Sequence, residues 1–261
     1  MRARAMTASN PSSQRPTPKR RRLLLRIGMW FLGVGSWSLG FGVAQSPVNA
    51  AGRIVMYRAA DGRTLTGLLI EGDSRPAAAV VLVPMLGRSR DDWQGVAQRL
   101  ADANITALAI DLPGVSIPSD PQSLESWHHD IGAAVAFLAG RPADVRSGSI
   151  GIAGASLGAN LAAVAAAADP SVRSIALISP SLDYRGLRLE EPMRLYGARP
   201  ALLMASLQDP YAARSVRELA QGAAGQREQR WSTIPAHGTV LLQRDADMVR
   251  SLVEWFQLTL G

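Results

Sequence analysis

From Ala51 onward the chain alternates between short apolar runs and longer amphipathic stretches, and this alternation predicts its elements. Ile54–Arg58 and Thr64–Ile70 flank Asp61-Gly62, the pattern of two strands joined by a tight turn. Ala78–Val83 is apolar at every position, as expected of a strand buried on both faces. Within Asp91–Ala103, Trp93, Val96, Ala97 and Leu100 recur at helical spacing. A second buried strand, Ile105–Ile110, ends at Asp111-Leu112-Pro113-Gly114. A helix over about Leu124–Leu138 follows, then a strand over Ser149–Ala153 and an alanine-dominated helix over Ala159–Ala168. Val172–Ile178 and Ala201–Ser206 read as strands, Pro210–Ala220 as helix, Gln229–Ile234 as a short strand and Ala246–Leu258 as a closing amphipathic helix.

Strands alternating with helices predict the α/β class, with a mostly parallel central sheet covered by helices on both faces. The N-terminal hairpin adds antiparallel strands at one end. No internal repeat or low-complexity linker interrupts residues 51–261, so they are expected to form one domain.

Composition changes the picture mainly through the distribution of charge. The 261 residues carry a net charge of +7, yet residues 1–50 hold eight basic residues and no acidic one. Of 28 basic and 21 acidic residues in all, residues 51–261 therefore keep 20 and 21, close to neutrality. Nucleic-acid binding by this body has no electrostatic support. The first 50 residues read as an export signal: a polar start, Lys19-Arg20-Arg21-Arg22, an uncharged stretch Ile27–Ala44, and small residues at Val48-Asn49-Ala50. The alternative is a retained anchor, with membrane contact only through residues 23–44. Either way the body is expected outside the cytoplasm, periplasmic or extracellular. Cysteine is absent, which excludes a disulfide framework, a lipidated cysteine and a cysteine nucleophile.

Candidate chemistry centres on Gly154-Ala155-Ser156-Leu157-Gly158. A bare G-x-S-x-G is weak evidence, but here a buried strand precedes it and a helix follows, the context of a nucleophile elbow. In open α/β sheets, functional groups collect in loops at the carboxyl ends of strands. Two further such loops carry Asp209, in Ser206-Leu207-Gln208-Asp209-Pro210, and His237, in Pro235-Ala236-His237-Gly238-Thr239. The chain order serine, acid, histidine is that of α/β-hydrolases and differs from other serine hydrolase folds. Each residue also has a plainer reading. Ser156 and Asp209 could cap the helices that follow them, and His237 could be structural. The expected oxyanion donors are the backbone N–H of Leu157 and, in the loop after Ala78–Val83, that of Leu86; Pro84 cannot donate. His128 and His129 occupy successive helix positions and read as surface or rim residues, so no metal site is expected. The chemistry requires no cofactor.

The chain from about Ile54 onward resembles the α/β-hydrolase superfamily, and within it small bacterial serine esterases related to dienelactone hydrolases. The matching pieces are Val80-Val81-Leu82-Val83-Pro84-Met85-Leu86-Gly87, Ser89-Arg90-Asp91-Asp92-Trp93 and Asp111-Leu112-Pro113-Gly114. The elbow, Asp209-Pro210-Tyr211 and Ala236-His237-Gly238-Thr239 complete them. Two departures stand out. Pro84-Met85 replaces the usual His-Gly before the oxyanion residue, and serine stands where dienelactone hydrolase proper has cysteine. The resemblance implies the fold and ester hydrolysis, but no particular substrate.

The connection Pro180–Arg199, where many relatives insert a cap, is only about twenty residues long and charged. A long-chain lipase is therefore not expected; a small or moderately polar ester is, with Tyr184, Arg185 and Arg188 as candidate substrate contacts. Arg185 or Arg188 could meet an anionic group on such an ester, although the plainer and preferred reading makes these arginines a solvated face. The leading expectation is a serine esterase acting on a small-molecule ester. Another serine hydrolase or acyltransferase, such as a peptidase or thioesterase, and a non-catalytic binding protein remain as alternatives.

Overall fold

The structure, a computed structural model, describes residues 52–113, 120–221 and 224–261. The export signal or anchor expected over residues 1–50, and Gly114 of the Asp111–Gly114 motif, lie outside the described residues. The described chain runs β1 (Arg53–Arg58), β2 (Thr64–Ile70), β3 (Ala77–Val83), a 3-10 turn (Arg90–Trp93), α1 (Gln94–Asp102) and β4 (Ile105–Ile110). It continues through α2 (Pro121–Glu125), α3 (His128–Ala139), β5 (Val145–Ala155), α4 (Leu157–Ala168) and β6 (Val172–Ile178). Next come β7 (Asp183–Tyr184), β8 (Leu187–Arg188), α5 (Glu190–Tyr196), β9 (Ala201–Ser206) and α6 (Pro210–Gln221). β10 (Arg227–Ser232), α7 (Thr239–Arg244) and α8 (Ala246–Leu260) close the chain. Among the described residues, no helix is long and apolar enough to cross a membrane.

Eight strands form one sheet in the order β1-β2-β4-β3-β5-β6-β9-β10. β1, β2 and β4 pair antiparallel; from β4 to β10 every neighbour is parallel. The two apolar faces of a central strand explain the layers. In β3, Ala79, Val81 and Val83 point into one core, built with α3, α4, α5 and α6. Ala78, Val80 and Leu82 point into the other, built with α1, α7 and α8. Helices on both faces remove the sheet from water, which is why β3 is apolar at every position.

Several boundaries differ from the pattern reading, each for a local reason. The predicted helix over Asp91–Ala103 starts as a 3-10 turn capped by Ser89, whose side chain accepts from the Asp91 N–H. The predicted helix over Leu124–Leu138 is two helices. Asp120 caps α2, with Pro121 opening it, and the Ser126 hydroxyl donates back to the Ser123 carbonyl where the helix ends. β5 begins at Val145 rather than Ser149, its register shifting near Gly148, which sits at φ +71°. β10 ends at Ser232, and Ile234 lies beyond it. The β1–β2 connection turns through Ala60–Gly62: the Ala59 N–H donates to the Arg63 carbonyl at 2.9 Å, and Gly62 takes φ +84°.

Two contacts hold the parts that frame the strand ends. Helix α4 is seated so closely that a Cβ built on Gly158 would lie 2.3 Å from the Pro84 carbonyl oxygen and 2.6 Å from that of Val83. A Cβ on Gly154 would lie 2.1 Å from the Gly158 carbonyl oxygen. These obstacles are backbone and cannot swing aside. At the β1–β2 edge of the sheet, Arg63 in the hairpin loop grips the buried Asp130 of α3 through both carboxylate oxygens, at 2.7 and 3.1 Å.

Gly158→Ala is expected to destabilise the protein by about 1–3 kcal/mol through overpacking. Gly132→Ala, inside α3 with nothing within 4 Å of the new Cβ, should stabilise it by up to about 1 kcal/mol. Urea unfolding of both variants checks the contrast, and equal midpoints would contradict the close contact. Arg63→Ala leaves the Asp130 carboxylate buried without its two donors and should cost about 1–3 kcal/mol. The same unfolding measurement reads this loss.

Candidate active site

At the carboxyl end of β5 the chain reverses through Ser156, which adopts φ +52° and ψ −119°. A non-glycine residue in this region is strained, and it persists only where the surroundings leave no alternative. Here the Ser156 N–H donates to the Ile178 carbonyl at 2.9 Å, a last rung between the ends of β5 and β6. Gly154 and Gly158, on either side, allow the close approach that the reversal demands. The serine side chain makes no capping bond to α4, so its hydroxyl is free for another partner.

That partner is His237. Its Nε2 lies 2.8 Å from Ser156 Oγ, and its Nδ1 lies 2.5 Å from Asp209 Oδ2. The ionised carboxylate only accepts, so Nδ1 carries the hydrogen and Nε2 is left to accept from the serine hydroxyl. The structure thus brings together three residues that the sequence places 28 and 81 positions apart. The choice between a capping and a site role for Asp209 dissolves, because its two oxygens do different work. Oδ2 meets the histidine, and Oδ1 accepts the Ala212 N–H at 3.2 Å, capping α6 behind Pro210. The Asp209 carboxyl is largely shielded, while the histidine ring is about 42% exposed and open to an incoming molecule.

Leu86 occupies the second position of a turn, Met85–Arg88, closed by the Arg88 N–H donating to the Met85 carbonyl at 3.2 Å. Gly87 follows at φ +70°, the conformation a type II turn requires at its third position. The second residue of such a turn has a free N–H, and among the described residues Leu86 N–H meets no acceptor. The same holds for Leu157 N–H at the start of α4. Pro84-Met85 therefore builds this loop without the usual His-Gly. The Met85 side chain packs against Gly238, where an added Cβ would lie 2.8 Å from the sulfur.

Pattern reading missed the residues that hold these loops. Ser179, buried at the end of β6 with φ +50°, accepts the Gly238 N–H on its hydroxyl at 3.0 Å. Ser206 donates to the Ile234 carbonyl at 2.6 Å and accepts from Gln208 N–H at 3.0 Å, joining the aspartate loop to the histidine loop. Asn160 of α4 is fully buried and bonds the backbone of Ser181 and Leu187, pinning the short connection above the sheet. That connection folds as the β7–β8 hairpin followed by α5. Strands of two residues leave no periodicity to detect.

The candidate substrate contacts lie on this hairpin. Tyr184 is half-buried against the core, and Arg185 is exposed at its tip with φ +50°. Arg188 pairs with Asp183 at 3.0 Å and lines a cavity of about 640 Å³ beside Met193, Glu218 and Arg227. None of Ser156, Asp209 and His237 lines that cavity. His129 is exposed and His128 half-buried, with ring centres 4.1 Å apart. Burial lowers the pKa of His128, while its Nδ1 bonds the Glu125 carbonyl at 2.7 Å. Among the described residues, no group of three or more histidine or acidic side chains is arranged to hold a metal ion.

Comparison with known proteins agrees with this architecture. Solved structures with the same fold include the esterase domain of a Rhodothermus marinus protein, 18% identical, covering 81% of this chain and 100% of its own, with a TM-score of 0.66. A dienelactone hydrolase from Anabaena variabilis is 19% identical over 82% of this chain and 100% of its own, with a TM-score of 0.67. An esterase from Pyrococcus furiosus is 16% identical over 81% and 93%, with a TM-score of 0.64. No curated protein matches significantly. The sequence pattern of the alpha/beta hydrolase family matches residues 80–259, a span that runs from β3 to α8 and takes in the elbow, Asp209 and His237. The chain belongs to the alpha/beta hydrolase family.

Proposed function

We propose that the protein is a serine hydrolase of small or moderately polar carboxylic esters, acting through an acyl-enzyme. The observation that carries this reading is the unbroken hydrogen-bonded line from Asp209 through His237 to Ser156, with the serine in a strained reversal. A binding protein has no use for that alignment.

The steps follow from the atoms. His237 Nε2 takes the proton from Ser156 as Oγ forms a bond to the ester carbonyl carbon. Asp209 keeps the ring oriented and stabilises the imidazolium. The Leu157 and Leu86 N–H groups receive the oxyanion, and each such donor is worth about 3–4 kcal/mol. Collapse breaks the bond to the alcohol oxygen, which leaves with the proton from His237. Water then attacks the acyl-enzyme, gives its proton to Nε2, and releases the acid and free serine.

Two further points support the ester. Two of the similar structures are named esterases. The short β7–β8 and α5 connection makes a poor interfacial lid, in keeping with a substrate that is not a long-chain lipid. Arg188 is paired with Asp183 on an exposed face, in keeping with a solvated role for these arginines rather than a dedicated anion contact. We also assign the leader to export, which puts this chemistry outside the cytoplasm.

The test is labelling of the full-length protein by a fluorophosphonate beside Ser156→Ala. Labelling is expected for the wild type and lost in the variant, with ester turnover falling by at least about 10⁴-fold. A folded wild-type protein that takes no label would move the binding-protein reading ahead. His237→Ala should lose turnover as Ser156→Ala does; a variant that keeps wild-type turnover excludes it as the base.

A further inference from the structure

The loop carrying His237 is held from three directions, and two of the holds come from neighbouring strand ends: Ser206 on the Ile234 carbonyl and Ser179 on the Gly238 N–H. The third reaches across from the far side of the site. Asp92, in the 3-10 turn Arg90–Trp93, accepts the Thr239 hydroxyl on Oδ2 at 2.7 Å, over a separation of 147 residues. Thr239 is buried, opens α7 and stands two residues after His237. The same Oδ2 accepts the Arg88 Nε–H at 2.7 Å. Arg88 closes the turn Met85–Arg88 that exposes the Leu86 N–H. One carboxylate oxygen therefore joins the loop of the base to the loop of the oxyanion donor.

We propose that Asp92 is a positioning residue that locks these two loops together, so that His237 and the Leu86 N–H keep a fixed separation around the reacting carbonyl. The inference rests on the reading of His237 as base. Asp92 touches neither Ser156, Asp209 nor His237 through a hydrogen bond; it acts through Thr239 and Arg88. Burial opposes its charge, but hydrogen bonds from Arg88, Thr239 and Gln243 outweigh that and hold its carboxyl below the usual range. The carboxylate is thus ionised at neutral pH, and both bonds are of the stronger, charge-assisted kind. Met85 packed on Gly238 makes a second contact between the same two loops. Gly238, the single residue between Thr239 and His237, sits at φ +58° with its own N–H on Ser179, so the bond at Thr239 acts on a short, already tethered segment. Misplacement of a catalytic group by about 1 Å can cost up to about 10²-fold in rate.

The experiment compares Thr239→Val with Thr239→Ser in the full-length protein. Valine keeps the shape and loses the hydroxyl; serine keeps the hydroxyl and loses the methyl. Two readouts are taken: kcat and KM for an ester that the wild type turns over, and the proton NMR signal of the His237 Nδ1–H. Thr239→Val is expected to lower kcat by about ten-fold with KM within about two-fold, and to broaden or shift the Nδ1–H signal. Thr239→Ser should restore both. A valine variant that matches the wild type in both readouts overturns the proposal. So does a serine variant as impaired as the valine one, which would mean that methyl packing matters and the bond does not. If Thr239→Val fails to fold, Asp92→Asn serves instead: reduced kcat at unchanged KM supports the lock, and unchanged kcat and signal overturn it. A wild type with neither labelling nor turnover would fail the base assignment, while the His237 signal would still decide the positioning claim.

Discussion

The strained reversal at Ser156 is the constraint on which the rest of the molecule depends. A serine at φ +52° does not stay there unaided. It is held by the Ile178 carbonyl on its own N–H, and by a helix pressed so far down that no side chain fits at Gly154 or Gly158. The contact at Gly158 is made by the carbonyls of Val83 and Pro84, the same chain that turns to present the Leu86 N–H. Seating α4 therefore fixes the serine and the loop that carries the Leu86 N–H together. The paired apolar cores supply the rigidity behind this, since close-packed interiors transmit strain rather than absorb it.

Around that fixed point, loops are tied to one another by small hydroxyl side chains. Ser179 reaches the histidine loop from β6, and Ser206 reaches it from β9. Ser232 adds another tie, donating to Asp245 at 2.5 Å and so joining β10 to the cap of α8. Each of these serines is buried. A short hydroxyl can satisfy a backbone group beyond the regular ladder without opening a cavity, and a buried backbone group left unpaired is costly. The same bonds that meet this demand also hold Asp209 and His237 within reach of Ser156.

How much of this was legible in the sequence follows from what kind of signal each part leaves. β3 announces itself because a strand covered on both faces is apolar throughout, and β4 nearly so, with Thr106 its one polar residue. β10 was found less cleanly, since an edge strand with the sequence Arg-Glu-Gln-Arg-Trp-Ser has little hydrophobic pattern. β7, β8 and the six-residue α7 were missed because they are too short to show a period. The three central site residues were legible: the glycine spacing is local, and Asp209 and His237 follow strand ends. The ties were not, because a serine or aspartate gives no hint of which group lies across from it. Partners 28, 59 and 147 positions apart are brought together only by the complete fold. The double duty of Asp209 was half visible. Both roles could be read from Asp209-Pro210, but nothing in the chain says that one carboxylate can serve both.

That double duty ties the electrostatics of the proposed mechanism to the architecture. α4 and α6 both direct their N-termini at the site, and a helix N-terminus favours negative charge. At α6 that charge belongs to the Asp209 carboxylate, which accepts the Ala212 N–H on one oxygen and meets His237 Nδ1 with the other. At α4 the charge is transient, the oxyanion that forms beside Leu157 N–H during acylation. His237 stands between the two, and its imidazolium develops in the same step as the oxyanion. The positive ring then has a carboxylate on one side and the developing anion on the other. Every charge in the step thus meets an opposite partner already in place, which is what preorganisation means in physical terms. α4 leaves the carboxyl end of β5 and α6 that of β9, two parallel strands separated only by β6, so this arrangement follows from the strand order itself, with loop details left to tune distances.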